Sequence, residues 1–305
     1  MKRRDFIKNA TMGTVALSGL TLNLNALNSE NKLHKNAIIK DMLWLWGQNA
    51  GSHHGTKNPY KLPGKNLMET REGCDFFGIN KCCRVTMAGY GPFPPFEAEA
   101  EKVKDLKEVV WSAIGDGGTE QHNNDQSDID EVLRIAKIHP NISGAILDDF
   151  FHNVSGKDLA RHSVRSIQSM RDKLHNFNKR RLDLWVVWYT HQLDLNIADY
   201  LELFDVITMW TWNGSDLLNL DSNIQKFIEK TPGKRHLVGC YMWNYGEQKP
   251  LTMNQMKYQL DIYYQWLKNK KIEGIIFCSN AIADIELETV EYTRKWIAEM
   301  GNEKI

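Results

Sequence analysis

Two adjacent carboxylates follow a short apolar run in Gly144-Ala145-Ile146-Leu147-Asp148-Asp149-Phe150-Phe151-His152, and this is where the chain is best equipped for chemistry. Like charges side by side are costly unless they are exposed, hydrogen-bonded or share a proton, and a pair that shares a proton suits general acid and base work. Phe150 and Phe151 would supply dry surroundings that raise one carboxyl pKa, and the neighbouring charge pushes the same way. His152 stands close enough in sequence to tune an Asp or to touch a substrate. A competing reading has Asp148-Asp149 capping a following helix, a position that Asp favours. Successive strand residues face opposite sides, so both carboxylates reach one site only if the strand has already ended at Asp148.

The elements that must position this pair repeat along the chain. Strand-like runs are expected at residues 42–47, 79–87, 109–114, 143–147, 182–189, 206–210, 236–243 and 274–278. Helical periodicity lies between them, at 97–107, 128–137, 155–176, 197–203, 219–229, 252–268 and 287–300. Strict alternation implies a parallel sheet covered by helices, and eight repeats favour closure into a (β/α)8 TIM barrel, one domain over residues 36–305. Chemistry in such a barrel sits at the carboxyl ends of the strands. That rule gathers Trp46, Tyr189, Trp210, Trp212 and Asn213 around the acid pair, with Trp243, Asn244, Tyr245 and Glu247 from the seventh run and Asn280 from the eighth.

Flat aromatic faces stack on the C–H faces of sugar rings, and Asn, Asp and Tyr hydrogen-bond hydroxyls, so the expected partner is a carbohydrate. Ten tryptophans supply the stacking surface. Trp44, Trp111, Trp185, Trp266 and Trp296 read instead as packing between barrel and helices.

Composition removes several other classes. Lys+Arg and Asp+Glu each total 38, so the chain lacks the basic footprint of a nucleic-acid binder. No Gly-rich phosphate fingerprint follows the first run, and no cofactor is expected. The five cysteines have no zinc-type spacing, and His53-His54 cannot share a helix face, so no metal site is expected. The thiols should be free, with room for one disulfide in an oxidising compartment. Lys2-Arg3-Arg4-Asp5-Phe6-Ile7-Lys8 precedes a weakly apolar stretch, which resembles a twin-arginine export signal over residues 1–27. The mature chain would begin between Ala26 and Lys35 and reside in the periplasm, with no stable membrane anchor.

Ala145-Ile146-Leu147-Asp148-Asp149-Phe150 resembles the catalytic strand of glycoside hydrolase family 84, the N-acetyl-β-glucosaminidases, whose Asp-Asp pair follows an apolar fourth strand. The likeness extends over residues 143–282: Trp210-Thr211-Trp212-Asn213-Gly214 stands where the family has Trp-Thr-Gly-Pro, and Trp243-Asn244-Tyr245 where it has Trp-Asp-Asn-Tyr. Asn280-Ala281 replaces an Asn-Pro, and the family's sugar-gripping Asp is absent. The resemblance implies a substrate-assisted hydrolase. Asp148 would orient the 2-acetamido group that attacks the anomeric carbon, and Asp149 would protonate the leaving oxygen and then activate water. Two alternatives stay open. Asp149 with Glu247 or Asp216 could form an ordinary two-carboxylate glycosidase, retaining at about 5–5.5 Å separation and inverting at about 6.5–9.5 Å. The missing sugar-gripping Asp would also fit a carbohydrate-binding barrel without catalysis.

Overall fold

The computed structural model describes residues 37–119, 126–152, 158–177 and 180–305, and the expected export signal lies outside them. Ile38–Glu303 form one compact unit. Within it eight parallel strands close into a barrel in chain order: β1 (Leu43–Gly47), β2 (Lys81–Arg84), β3 (Glu108–Ile114), β4 (Ile142–Leu147), β5 (Asp183–Tyr189), β6 (Val206–Trp210), β7 (Arg235–Tyr241) and β8 (Gly274–Cys278). Closure is carried by β8 against β1, with Leu43 opposite Ile275 and Trp46 opposite Cys278. The fold is a (β/α)8 barrel.

The α-helices among the described residues are α1 (Thr70–Phe77), α2 (Glu97–Lys102), α3 (Ile129–Ile138), α4 (Val164–His175), α5 (Ala198–Leu201), α6 (Leu220–Lys230), α7 (Met253–Lys268) and α8 (Glu288–Met300). Helix α3 buries Ile129, Val132, Ile135 and Ala136 at helical spacing, the stripe expected of a helix laid on a sheet. Helix α7 begins with a capping box in which Gln255 N–H donates to Thr252 Oγ1 (3.2 Å) and Thr252 N–H to Gln255 Oε1 (3.0 Å). Among the described residues no helix is long and apolar enough to cross a membrane.

Strands buried on both faces read as continuous apolar runs. The barrel interior is filled in storeys. Trp44 and Trp185 meet edge to face at 5.0 Å although β1 and β5 stand on opposite sides, so they pack across the barrel rather than between barrel and helices as expected. Two residues further along β1, Trp46 meets Trp210 of β6 in the same way, also at 5.0 Å. Gly239 makes that second storey possible: a Cβ there would sit 1.9 Å from Cε3 of Trp210, so the indole occupies the space a side chain on β7 would take.

Several expected boundaries move. The second strand is Lys81–Arg84 rather than 79–87, and the seventh ends at Tyr241, two residues before the expected end. Helix α4 begins at Val164, where Ser163 caps it, rather than at residue 155. Helix α1 was not among the expected elements. All five cysteines are buried and free, so none of them is held in a disulfide.

Candidate active site

Strand β4 stops at Leu147, and Asp148 N–H makes a last bond to Ile114 O of β3 (2.9 Å). Asp149 then adopts φ +43°, a left-handed conformation that Asp tolerates better than most residues. The turn breaks strand alternation, and two consecutive carboxylates line one cleft at the carboxyl end of the barrel. The helix-cap reading of the pair does not hold, because the next described helix is capped by Ser163.

The cleft encloses about 460 Å³ of empty space including its open mouth. Trp46 and Trp210 lie at its floor, while Trp212 and Tyr245 stack at 5.7 Å on one side. Tyr189 donates from its hydroxyl to Asp149 Oδ1 (2.7 Å), and Gly117 N–H donates to Oδ2 (2.9 Å), so both oxygens of Asp149 are oriented. Asp148 Oδ1 accepts the N–H of Asp149 at 2.9 Å.

A third carboxylate joins them. Asp116 follows β3, lines the same cleft, and accepts Ala88 N–H on Oδ1 (2.9 Å). Arg161 ties the two acid-bearing turns together from behind, donating to the carbonyls of Gly115 (2.7 Å), Asp116 (3.3 Å) and Asp148 (3.2 Å) and to Thr119 Oγ1 (2.8 Å). Burial, then the charges of Asp149 and Asp116, push the Asp148 carboxyl well above the usual carboxylate range. Burial also raises Asp116, and Asp149 adds to it. Tyr189, Tyr241 and Tyr245 are raised by burial and stay neutral hydroxyls.

Asp116, Tyr241, His53, Tyr60 and Gln48 all line the cleft and were not among the expected site residues. His53 comes from the long loop after β1, its Nδ1 2.7 Å from the Tyr245 hydroxyl. Burial, then His54, hold its ring at a pKa of about 3, a neutral imidazole. His54 turns away, with Nε2 3.0 Å from Pro63 O. Among the described residues no three His, Cys, Asp or Glu groups are disposed to hold a metal ion.

Six expected site residues stand outside the cleft lining. Asn280 is a buried brace: its Oδ1 accepts Gln48 N–H (2.8 Å) and its Nδ2 donates to the carbonyls of Gln48 (2.8 Å) and Met68 (2.7 Å). Asn244 does the same between the β6 and β7 turns, accepting Gly214 N–H at 3.0 Å and Glu247 N–H at 3.2 Å. Trp243 lies beyond the end of β7, buried, and donates from Nε1 to Tyr60 O (3.0 Å). Asn213 donates to Asp216 (2.9 Å). His152 has Nδ1 3.0 Å from Asp158 O. Glu247 pairs with Lys249 (2.5 Å) and accepts Ser215 N–H (3.1 Å), and the Lys249 hydrogen bond, with Ser215 assisting, holds its carboxyl at a pKa of about 2. With Glu247 and Asp216 both engaged outside the cleft, Asp149 has neither as a facing second carboxylate.

No family model matches the chain, and no curated protein matches it. Solved structures do. A Bacteroides thetaiotaomicron protein provisionally named an α-L-fucosidase superposes with a TM-score of 0.53 at 10% identity, over 87% of this chain and 97% of that one. A chitinase-like lectin of tamarind superposes at 0.51 with 9% identity, over 85% of this chain and 98% of that one. At such identities the likeness establishes the barrel fold that this chain shares with them.

Proposed function

We propose that this protein is a glycoside hydrolase whose acid–base pair is Asp148 and Asp149, acting on a glycan that carries a 2-acetamido group. The observation that carries the reading is the left-handed turn at Asp149, which brings two consecutive carboxylates into one aromatic-walled cleft at the carboxyl end of the barrel. The likeness of the β4 turn to glycoside hydrolase family 84 supplies the acetamido group.

Burial favours Asp148 as the proton carrier, since its carboxyl sits far above the usual range while lining the cleft. In this assignment the substrate's acetamido oxygen attacks the anomeric carbon as the glycosidic C–O bond breaks. The leaving oxygen takes the bonding pair and the Asp148 proton. Asp149, its oxygens oriented by Tyr189 and Gly117, holds the acetamido N–H. Water then opens the cyclic intermediate, giving its proton back to Asp148. The family resemblance implies the reverse allocation of the two roles, and leaving-group chemistry separates them. General acid catalysis contributes about 10²–10⁴-fold, and an activated aryl leaving group needs little of it. Asp148→Asn should lose that factor on an alkyl N-acetylglucosaminide and much less on an aryl one, while Asp149→Asn damages both. The opposite pattern assigns the acid to Asp149. A wild-type protein that binds glycans and cleaves neither substrate overturns the hydrolase reading in favour of a binding barrel. We also propose that residues 1–27 direct export, which fractionation of cells expressing Arg3→Lys/Arg4→Lys tests by loss of periplasmic protein.

A further inference from the structure

Gln48 closes the end of β1 and is 3% exposed, yet its Oε1 has no hydrogen-bond partner among the described residues while the side chain lines the cleft. Its backbone is held firmly, and its amide nitrogen meets a thioether. Asn280 fixes its backbone N–H and carbonyl at 2.8 Å each, Thr70 Oγ1 donates to that carbonyl at 3.0 Å, and Nε2 faces Met87 Sδ at 3.6 Å. A buried acceptor without a donor costs free energy, and one on a side chain that lines a cleft can take its donor from a ligand.

The remaining polar groups of the cleft tell the same story. Asp116, Asp148 and Asp149 bring three carboxyl groups to it, and among the described lining residues none is Lys or Arg. His53 contributes no positive charge, because its buried ring is neutral. The tyrosines offer hydroxyls but no cation.

Resting on the carbohydrate reading above, we infer that Gln48 and Asp116 set the specificity of the cleft: Gln48 Oε1 accepts an N–H or O–H of a neutral sugar, and Asp116 beside the acid pair excludes sugars carrying a carboxylate or sulfate. The cleft is therefore selective for neutral sugars over uronic or sulfated ones. Exclusion follows from placing a second anion against Asp116 and Asp149 in a cleft whose described lining holds no Lys or Arg, with Arg161 behind the acid-bearing turns on their backbone carbonyls, a form of discrimination that needs no added contact with the preferred ligand.

Calorimetric titration of the full chain with N-acetylglucosamine and with glucuronic acid tests this without requiring turnover. Wild type should bind N-acetylglucosamine at least about tenfold more tightly than glucuronate. Gln48→Met, which keeps the volume and removes the acceptor, should weaken N-acetylglucosamine about tenfold. Asp116→Asn should narrow the gap between the two sugars, a change of selectivity that a merely structural role would not produce. Should Gln48→Met fail to fold, Gln48→Glu keeps an acceptor and adds charge, and it should widen the gap. Equal wild-type affinities, unchanged binding in Gln48→Met, or a gap unmoved by Asp116→Asn would each overturn the inference. Selective binding without cleavage overturns the hydrolase reading alone, and cleavage with equal affinity for both sugars overturns this one alone.

Discussion

Asp148→Asn should stabilise the protein at neutral pH. In the unfolded chain the Asp148 carboxyl ionises near its ordinary value of 3.8, whereas in the fold burial and the charges of Asp149 and Asp116 hold it protonated well above that. Between those two values the folded state binds more protons than the unfolded one, so stability falls as pH rises through that window and the full penalty stands above it. Asparagine ionises in neither state and keeps an oxygen able to accept the Asp149 N–H now made at 2.9 Å. Each pKa unit separating the two states is worth about 1.4 kcal/mol, and 1 kcal/mol moves Tm by about 2–4 °C in chains of 150–250 residues, so each unit should raise the variant's Tm by about 3–6 °C. Paired melts of wild type and variant between about pH 4 and about pH 8 should show a gain that is small at the acid end and grows with pH. A gain that shrinks as pH rises, or a loss of equal size at every pH, would refute the account of a buried, proton-holding Asp148.

Gly239→Ala should destabilise the barrel by at least about 1–3 kcal/mol, because the new methyl meets the Trp210 ring at 1.9 Å, and denaturant melts should recover part of the loss when Trp210→Phe is added. Glu247→Gln should leave turnover near wild type, since its carboxylate is committed to Lys249 and Ser215 outside the cleft, and abolished activity would restore the two-carboxylate mechanism. Trp212→Ala should weaken glycan binding about tenfold in calorimetry with little change in Tm, whereas Trp243→Ala, buried and bonded to Tyr60 O, should lower Tm first.

The barrel was legible because a parallel strand buried on both faces writes itself as an apolar run, as Leu43–Gly47 and Gly274–Cys278 do. Helix α1 was not. Its buried positions, Thr70, Gly73, Cys74 and Phe77, have the right helical spacing, but three of the four are small or polar and do not register as a stripe. Asp116 was hidden in Gly115-Asp116-Gly117-Gly118, which reads as a turn, although it directly follows a strand and the rule about carboxyl ends covers it. Ending the seventh strand two residues late drew attention to Trp243 and away from Tyr241, whose side chain lines the cleft. Asn244 and Asn280 are engaged with backbone groups, a use of an amide that composition cannot tell from service to a ligand. His53 and Tyr60 arrive on a long loop after β1, where no periodicity predicts position. The place of Asp148 and Asp149 just past an apolar strand was readable, while the left-handed turn that brings both to one cleft is a tertiary fact.

The two tryptophan storeys give the barrel a floor. Trp44 against Trp185 and, above them, Trp46 against Trp210 stop the axis of the barrel from being a passage. A molecule that enters at the carboxyl end therefore has one way out, through the mouth by which it came. A polymer cannot be threaded through such a socket; it must be held at the mouth, and whatever is left inside must depart before the next chain can be seated.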